Sequence, residues 1–212
     1  NPRTIIDAVM EYGDQYGYEF EHEGTYEKIC LVNDAVFVAK FTDGRKPAYW
    51  TATGAQFQHP YVFKKLFTHD PIEFKDKCET KSVTTSLWLD FTKYEEPTFG
   101  PDISKKDETL LKREALNLYK ERISVMNESK RFVGKSGVFC PIQPEWGGGV
   151  LQREKDGKFH AATGSSGYEW LEAERVAELK LEEHIDMRFF DNLVNEAVTD
   201  ISKFGDFEAF VS

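Results

Sequence analysis

No run of apolar residues approaches the roughly 20 needed to cross a membrane as a helix, and Asn1 to Asp14 lacks the charged-then-apolar layout of a secretory signal. The expectation is a soluble, cytoplasmic protein with no membrane partner. Cysteine is scarce: Cys30, Cys78 and Cys140 are odd in number, widely spaced and without a CxxC. That pattern suggests neither a disulfide framework nor a zinc site, and points to buried or half-buried free thiols. Basic residues are in deficit, with 27 Lys and Arg against 37 Asp and Glu and a net charge of −10. A protein whose whole surface binds nucleic acid is thereby excluded, because phosphate affinity comes from clustered Lys and Arg. No repeat period and no low-complexity tract emerges.

What is present is a chain of 212 residues with 40% hydrophobic and 14% aromatic content, enough for an ordered core in one large or two small domains. The charge is unevenly spread. Lys105 to Lys135 carries nine basic against five acidic residues, and Ser165 to Ser212 carries four against twelve. The middle could face phosphate while the tail could not. The first residue is Asn, not Met, which suggests a segment of something longer.

Periodicity gives an α+β plan. Ile5, Ile6, Val9, Met10 and Tyr16 predict an amphipathic helix over Arg3–Tyr16, ended by Gly17. Tyr18, Phe20 and His22 alternate with Glu19, Glu21 and Glu23, the period of a strand. Lys28–Val32 and Ala35–Phe41 predict two strands turning at Asn33-Asp34, and Asp43-Gly44 leads on to a further strand at Tyr49–Thr53. A short helix after Pro60, another near Pro71 and a strand over Ser82–Phe91 follow. Pro97, Gly100 and Pro101 mark residues 92–107 as a linker, dividing the chain into 1–91 and 108–212. Beyond it the pattern predicts a long helix at Glu108–Glu128, extended chain at Arg131–Ile142, a turn at Gly147-Gly148-Gly149, a hairpin about Lys155-Asp156-Gly157, a strand at Tyr168–Leu171, and helices at Ala173–Leu179 and Met187–Lys203.

A resemblance lies in the order of the first part. Tyr18-Glu19-Phe20-Glu21, Tyr26-Glu27-Lys28-Ile29-Cys30-Leu31-Val32-Asn33, Phe37-Val38-Ala39-Lys40 and Thr53-Gly54-Ala55-Gln56-Phe57-Gln58 succeed one another much as segments do after the catalytic aspartates of family B DNA polymerases. The chain resembles the C-terminal part of such a polymerase, phage-like, with a partial palm of antiparallel strands (1–91) and a helix-and-hairpin, thumb-like region (108–212). That resemblance implies primer–template DNA and the remainder of the polymerase as partners, a phage-infected host's cytoplasm as one setting, and Mg2+ for the complete enzyme but no cofactor for these residues. The DNA-binding residues it implies are Phe37, Lys40, Thr53, Gly54 and Gln56, with the basic pairs Lys64-Lys65 and Lys130-Arg131 added for their charge. Departures are specific. Asp34-Ala35-Val36-Phe37 stands where the family has Lys-Lys-x-Tyr, Thr53 replaces the usual Lys, and Gln56 and Gln58 are neutral where basic residues are common.

No catalytic residue is expected. Tyr12-Gly13-Asp14 is similar to the family's aspartate hairpin but lacks the second Asp that two-metal phosphoryl transfer requires, and it lies in a helical pattern. The five histidines lack ligand spacing, which leaves a small metal-dependent hydrolase unsupported. Phe207 and Phe210 in the acidic tail are candidate contacts for a replication clamp, against the alternative that they fold back onto the core. A second reading of the whole is an acidic, aromatic-rich module that binds a protein partner or serves as a scaffold.

Overall fold

The computed structural model describes residues 1–42, 47–91, 96–125, 130–165 and 167–212. The chain is α+β, with two antiparallel sheets distributed over two compact units. One unit comprises Asn1–Asp70 with Glu196–Ser212, and the other comprises Pro71–Asn195.

In the first unit, α1 (Pro2–Gln15) begins as Pro2 and the Asn1 carboxamide require: proline gives up no needed N–H, and Asn1 Oδ1 accepts from Arg3 N at 3.0 Å. Strands β1 (Tyr26–Asn33), β2 (Val36–Phe41) and β3 (Tyr49–Ala52) form a meander in sequence order. The β1–β2 turn is held by Asn33, whose Oδ1 accepts from Ala35 N at 2.9 Å. The expected Asp43-Gly44 turn lies outside the described residues. Two short helices, α2 (Ala55–Gln58) and α3 (Pro60–Phe63), run into a wide π turn at Lys64–Thr68. Phe57, Val62 and Phe67 are buried beneath them.

Tyr18–Glu23, expected as a strand, joins no sheet. Tyr18 N donates back to Gly13 O, and Phe20 lies over Gly13. Alternation suits a strand but does not by itself make one, and this segment meets no partner strand among the described residues.

The second unit is built on a five-stranded sheet ordered β7-β6-β4-β5-β8: β7 (Lys158–Ala161), β6 (Val150–Lys155), β4 (Glu79–Asp90), β5 (Lys130–Pro141) and β8 (Trp170–Glu172). Its centre is β4, which pairs with β5 along one edge and β6 along the other, so Leu87 and Leu89 are fully buried. This pairing explains why the units divide at Asp70/Pro71 and not within residues 92–107: β4 belongs with strands that follow the expected linker. Helix α4 (Lys105–Val125) already begins inside that linker, with Ser104 accepting from Asp107 N. Asp156 and Gly157 both take positive φ at the β6–β7 hairpin, as a two-residue turn of this hand demands.

Gly147-Gly148-Gly149, expected as a flexible turn, is a close-packed crossing. Gly149 exchanges two backbone hydrogen bonds with Trp170, at 2.9 and 2.7 Å, and a Cβ on it would come within 2.9 Å of the Phe91 ring. Helix α5 (Ala173–Glu178) follows β8, and α6 (Arg188–Ser202) contributes its first half to this unit and its second half to the other. A last short helix, α7 (Phe207–Val211), is capped by the Asp206 carboxylate. Among the described residues no helix is long and apolar enough to cross a membrane.

Candidate nucleic-acid interface

The residues singled out by the sequence fall into two groups, one in each unit. In the first unit, the β1–β2 turn and the β3–α2 junction meet although they lie some sixteen residues apart. Thr53 makes the joint. Its hydroxyl donates to Ala35 O at 2.8 Å and accepts from Phe37 N at 3.0 Å, while Thr53 N donates to Phe37 O at 2.9 Å. The hydroxyl is thus spent on holding β2, so Thr53 positions the turn and has little left for phosphate.

Gly54 comes next, at φ +89° and ψ 140°, a conformation that costs any L-residue strain. A Cβ there would lie 2.8 and 2.9 Å from the two γ-carbons of Val36, so the absence of a side chain lets α2 start hard against β2. Gln56 is half-buried on α2, and Gln58 is exposed while donating to Ala52 O at 2.8 Å. Lys64 and Lys65 open the π turn, Lys64 half-buried and Lys65 exposed.

Phe37 is half-buried, its ring edge-on to Tyr26 at 6.1 Å, and offers one flank to solvent. Lys40 Nζ lies 3.7 Å from Glu27 Oε2, with Lys40 about one-third exposed. Such a surface pair is worth at most about 1 kcal/mol, so the lysine can be drawn to a stronger anion at small cost. Asp34 sits exposed on the turn itself, where it repels phosphate.

In the second unit, Lys130 and Arg131 begin β5, and both are engaged. Lys130 Nζ lies 3.7 Å from the centre of the Phe159 ring, and Arg131 is ion-paired with Glu172. Burial pushes the Arg131 guanidinium below its usual range, as expected of a charge taken out of water. The two units therefore hold separate parts of the candidate set.

The tail aromatics are likewise placed within the first unit. Phe210 meets Trp50 edge-on at 5.4 Å, and Lys28 Nζ donates to the carbonyls of Ala209 and Ser212 at the end of α7. Phe207 is half-buried, which leaves Phe204, 58% exposed, as the outward aromatic of the tail. Among the described residues no group of three or more His, Cys, Asp or Glu could hold a metal ion.

Three features escaped the sequence reading. Asp186 is buried and takes Arg188 in a two-point bond, Nε to Oδ1 at 2.8 Å and Nη2 to Oδ2 at 2.6 Å, which raises the arginine's affinity for its proton. Its only sequence signal is an Asp at the head of a helix. Lys81 lies over the Trp170 ring at 4.5 Å, and burial lowers its pKa. Cys78 and Cys140 Sγ are 3.4 Å apart because Glu79 faces Phe139 in register, and burial pushes the Cys140 thiol far up. Neither neighbour can be read without the strand register.

Comparison with protein families, with curated proteins and with solved structures finds no match for this chain.

Proposed function

We propose that this chain is a C-terminal part of a DNA-dependent DNA polymerase of family B that helps hold primer–template DNA during replication and does no catalysis by itself. In this reading the first unit is the late palm and the second unit is thumb-like. The observation that carries it is the Thr53 joint. The two segments that take the place of the family's primer–template motifs, Asp34–Phe37 and Thr53–Gly54, are bound to each other by three hydrogen bonds, with the half-buried Gln56 beside them.

Binding would then rest on Phe37, Lys40, Gln56 and Lys65, with Gly54 permitting close backbone approach and Lys64 lending charge. Few positive charges take part, so the affinity is modest and shared with the rest of the polymerase. Mg2+ belongs to the aspartate pair of the complete enzyme, outside these residues. A replication clamp as partner of the tail would meet Phe204 and Phe207 before Phe210, which is packed on Trp50.

The test is the salt dependence of binding to a primer–template duplex. Gln56→Lys adds a phosphate contact and is expected to steepen the slope of log K against log salt by about 0.9, while Lys65→Ala flattens it by about the same amount. Lys65 is exposed and Gln56 half-buried, and unaltered circular dichroism of both variants is the accompanying check that the fold is kept. Slopes that ignore both substitutions would remove these residues from any DNA surface.

The reading of the chain as a protein-binding module draws on a different observation, the exposed apolar stripe of α1. It does not compete for the same residues.

A further inference from the structure

We infer that α1 and the segment after it form a docking groove for a basic, apolar polypeptide segment. The argument begins with a helix that faces the wrong way. Ile5, Val9, Tyr12 and Tyr16 follow one another at intervals of four, three and four residues, the spacing of a single helical stripe. Such a stripe is normally covered. Here its members are 66%, 48%, 61% and 63% exposed, and Gly13 is the helix's one buried residue.

Tyr18 and Phe20 extend the same apolar character past the helix end, at 65% and 46% exposure. Scattered exposed apolar residues need no explanation, but a full helical stripe continued by two aromatics marks an interaction surface. Three of these residues, Ile5, Val9 and Phe20, line a groove of about 380 Å3. Ile5, Ile6, Val9 and Met10 form one wall, and residues Phe20 to Gly24 form the other.

That second wall has unused backbone. No backbone–backbone hydrogen bond involves residues 19–24 among those described, and the segment belongs to no strand. A partner segment laid along it could therefore satisfy main-chain donors and acceptors while placing alternate side chains in the groove.

Charge selects the partner. Residues 1–26 hold six carboxylates (Asp7, Glu11, Asp14, Glu19, Glu21 and Glu23) against one arginine, Arg3, and Glu21 and Glu23 line the groove itself. Nucleic acid is repelled from such a rim, and a second copy of this chain would set two acidic rims against each other. The complement is a polypeptide segment in which apolar residues alternate with Lys or Arg. This surface is separate from the residues assigned to DNA.

The test uses the whole chain and two fluorescent peptides, one alternating Val with Lys and one alternating Val with Glu, read by anisotropy. The Val/Lys peptide is expected to bind at least about tenfold more tightly than the Val/Glu peptide, with the difference shrinking as salt rises. Two double variants separate the contributions. Ile5→Ser with Val9→Ser removes the apolar wall at unchanged charge, and Glu21→Gln with Glu23→Gln removes charge at nearly unchanged shape; each is expected to weaken the Val/Lys peptide about tenfold. All four side chains are outward or half-exposed, so circular dichroism should be unaltered. Binding that survives the serine variant is mere charge attraction and overturns the proposal. So does a dimer, detected by sedimentation, that the serine variant abolishes, since the groove would then serve a second copy. Primer–template binding should be the same in the serine variant, which keeps this result distinct from the polymerase reading.

Discussion

Trp170→Ala is expected to destabilise the second unit by about 3–5 kcal/mol, the usual cost of deleting a large buried aromatic. Trp170 is fully buried in β8, where its backbone exchanges two hydrogen bonds with Gly149 and its ring meets Phe189 edge-on at 5.1 Å. Removing the ring also strips Lys81 of the aromatic face over which its ammonium lies, and that half-buried charge loses its compensation. Against a typical domain stability of about 5–15 kcal/mol, the loss leaves the unit close to its folding threshold. Trp170→Phe should cost much less. The indole Nε1 is buried without an acceptor among the described residues, so the phenyl ring discards an unsatisfied donor and retains most of the packing. Urea denaturation followed by tryptophan fluorescence and circular dichroism checks both; a loss under about 1 kcal/mol for alanine would mean that Trp170 is not the centre of this core.

Gly54→Val is the second large effect, and it links stability to the proposed interface. The positive φ alone costs an L-residue on the order of 1–3 kcal/mol. Contact with Val36 adds to this, because a Cβ at 2.8 Å from one γ-carbon and 2.9 Å from the other forces the β2 end away from α2. Thr53 cannot then hold Ala35 O and Phe37 N together, so primer–template affinity should fall with the melting temperature. Gly17→Ala supplies the comparison. Gly17 has φ +74° but nothing within 4 Å of its would-be Cβ, so it reports the backbone strain without the clash. A Gly54→Val melting temperature no lower than that of Gly17→Ala would show that the junction yields freely.

The elements legible in the sequence are those whose signals are local. The α1 boundaries follow from Pro2 and Gly17, the β1–β2 turn from Asn33-Asp34, and the β6–β7 hairpin from Asp156-Gly157. Elements defined by partners were less accessible. Tyr18–Glu23 alternates as a strand does yet pairs with none among the described residues, and the place of β4 is set by strands some forty or more residues later that complete its sheet.

The site shows the same division. Lys40 and Thr53 stand out through the resemblance and Arg131 through its charge, but only the fold reveals that Thr53 is consumed by the turn and that Arg131 is held by Glu172. Outward orientation of the Ile5–Tyr16 stripe was equally hidden, since an amphipathic pattern does not say whether its apolar side is covered. The Cys78–Cys140 approach needed the β4–β5 register.

The most direct measurement for the proposed function is equilibrium binding of the unmodified chain to a primer–template duplex between about 50 and 200 mM salt, read by fluorescence anisotropy. The account predicts measurable affinity at the low end and a linear fall of log K with log salt, with a slope of about −0.9 for each phosphate engaged, so that two or three contacts give a slope near −2 to −3. No binding at the lowest salt, or binding that salt does not change, would contradict it.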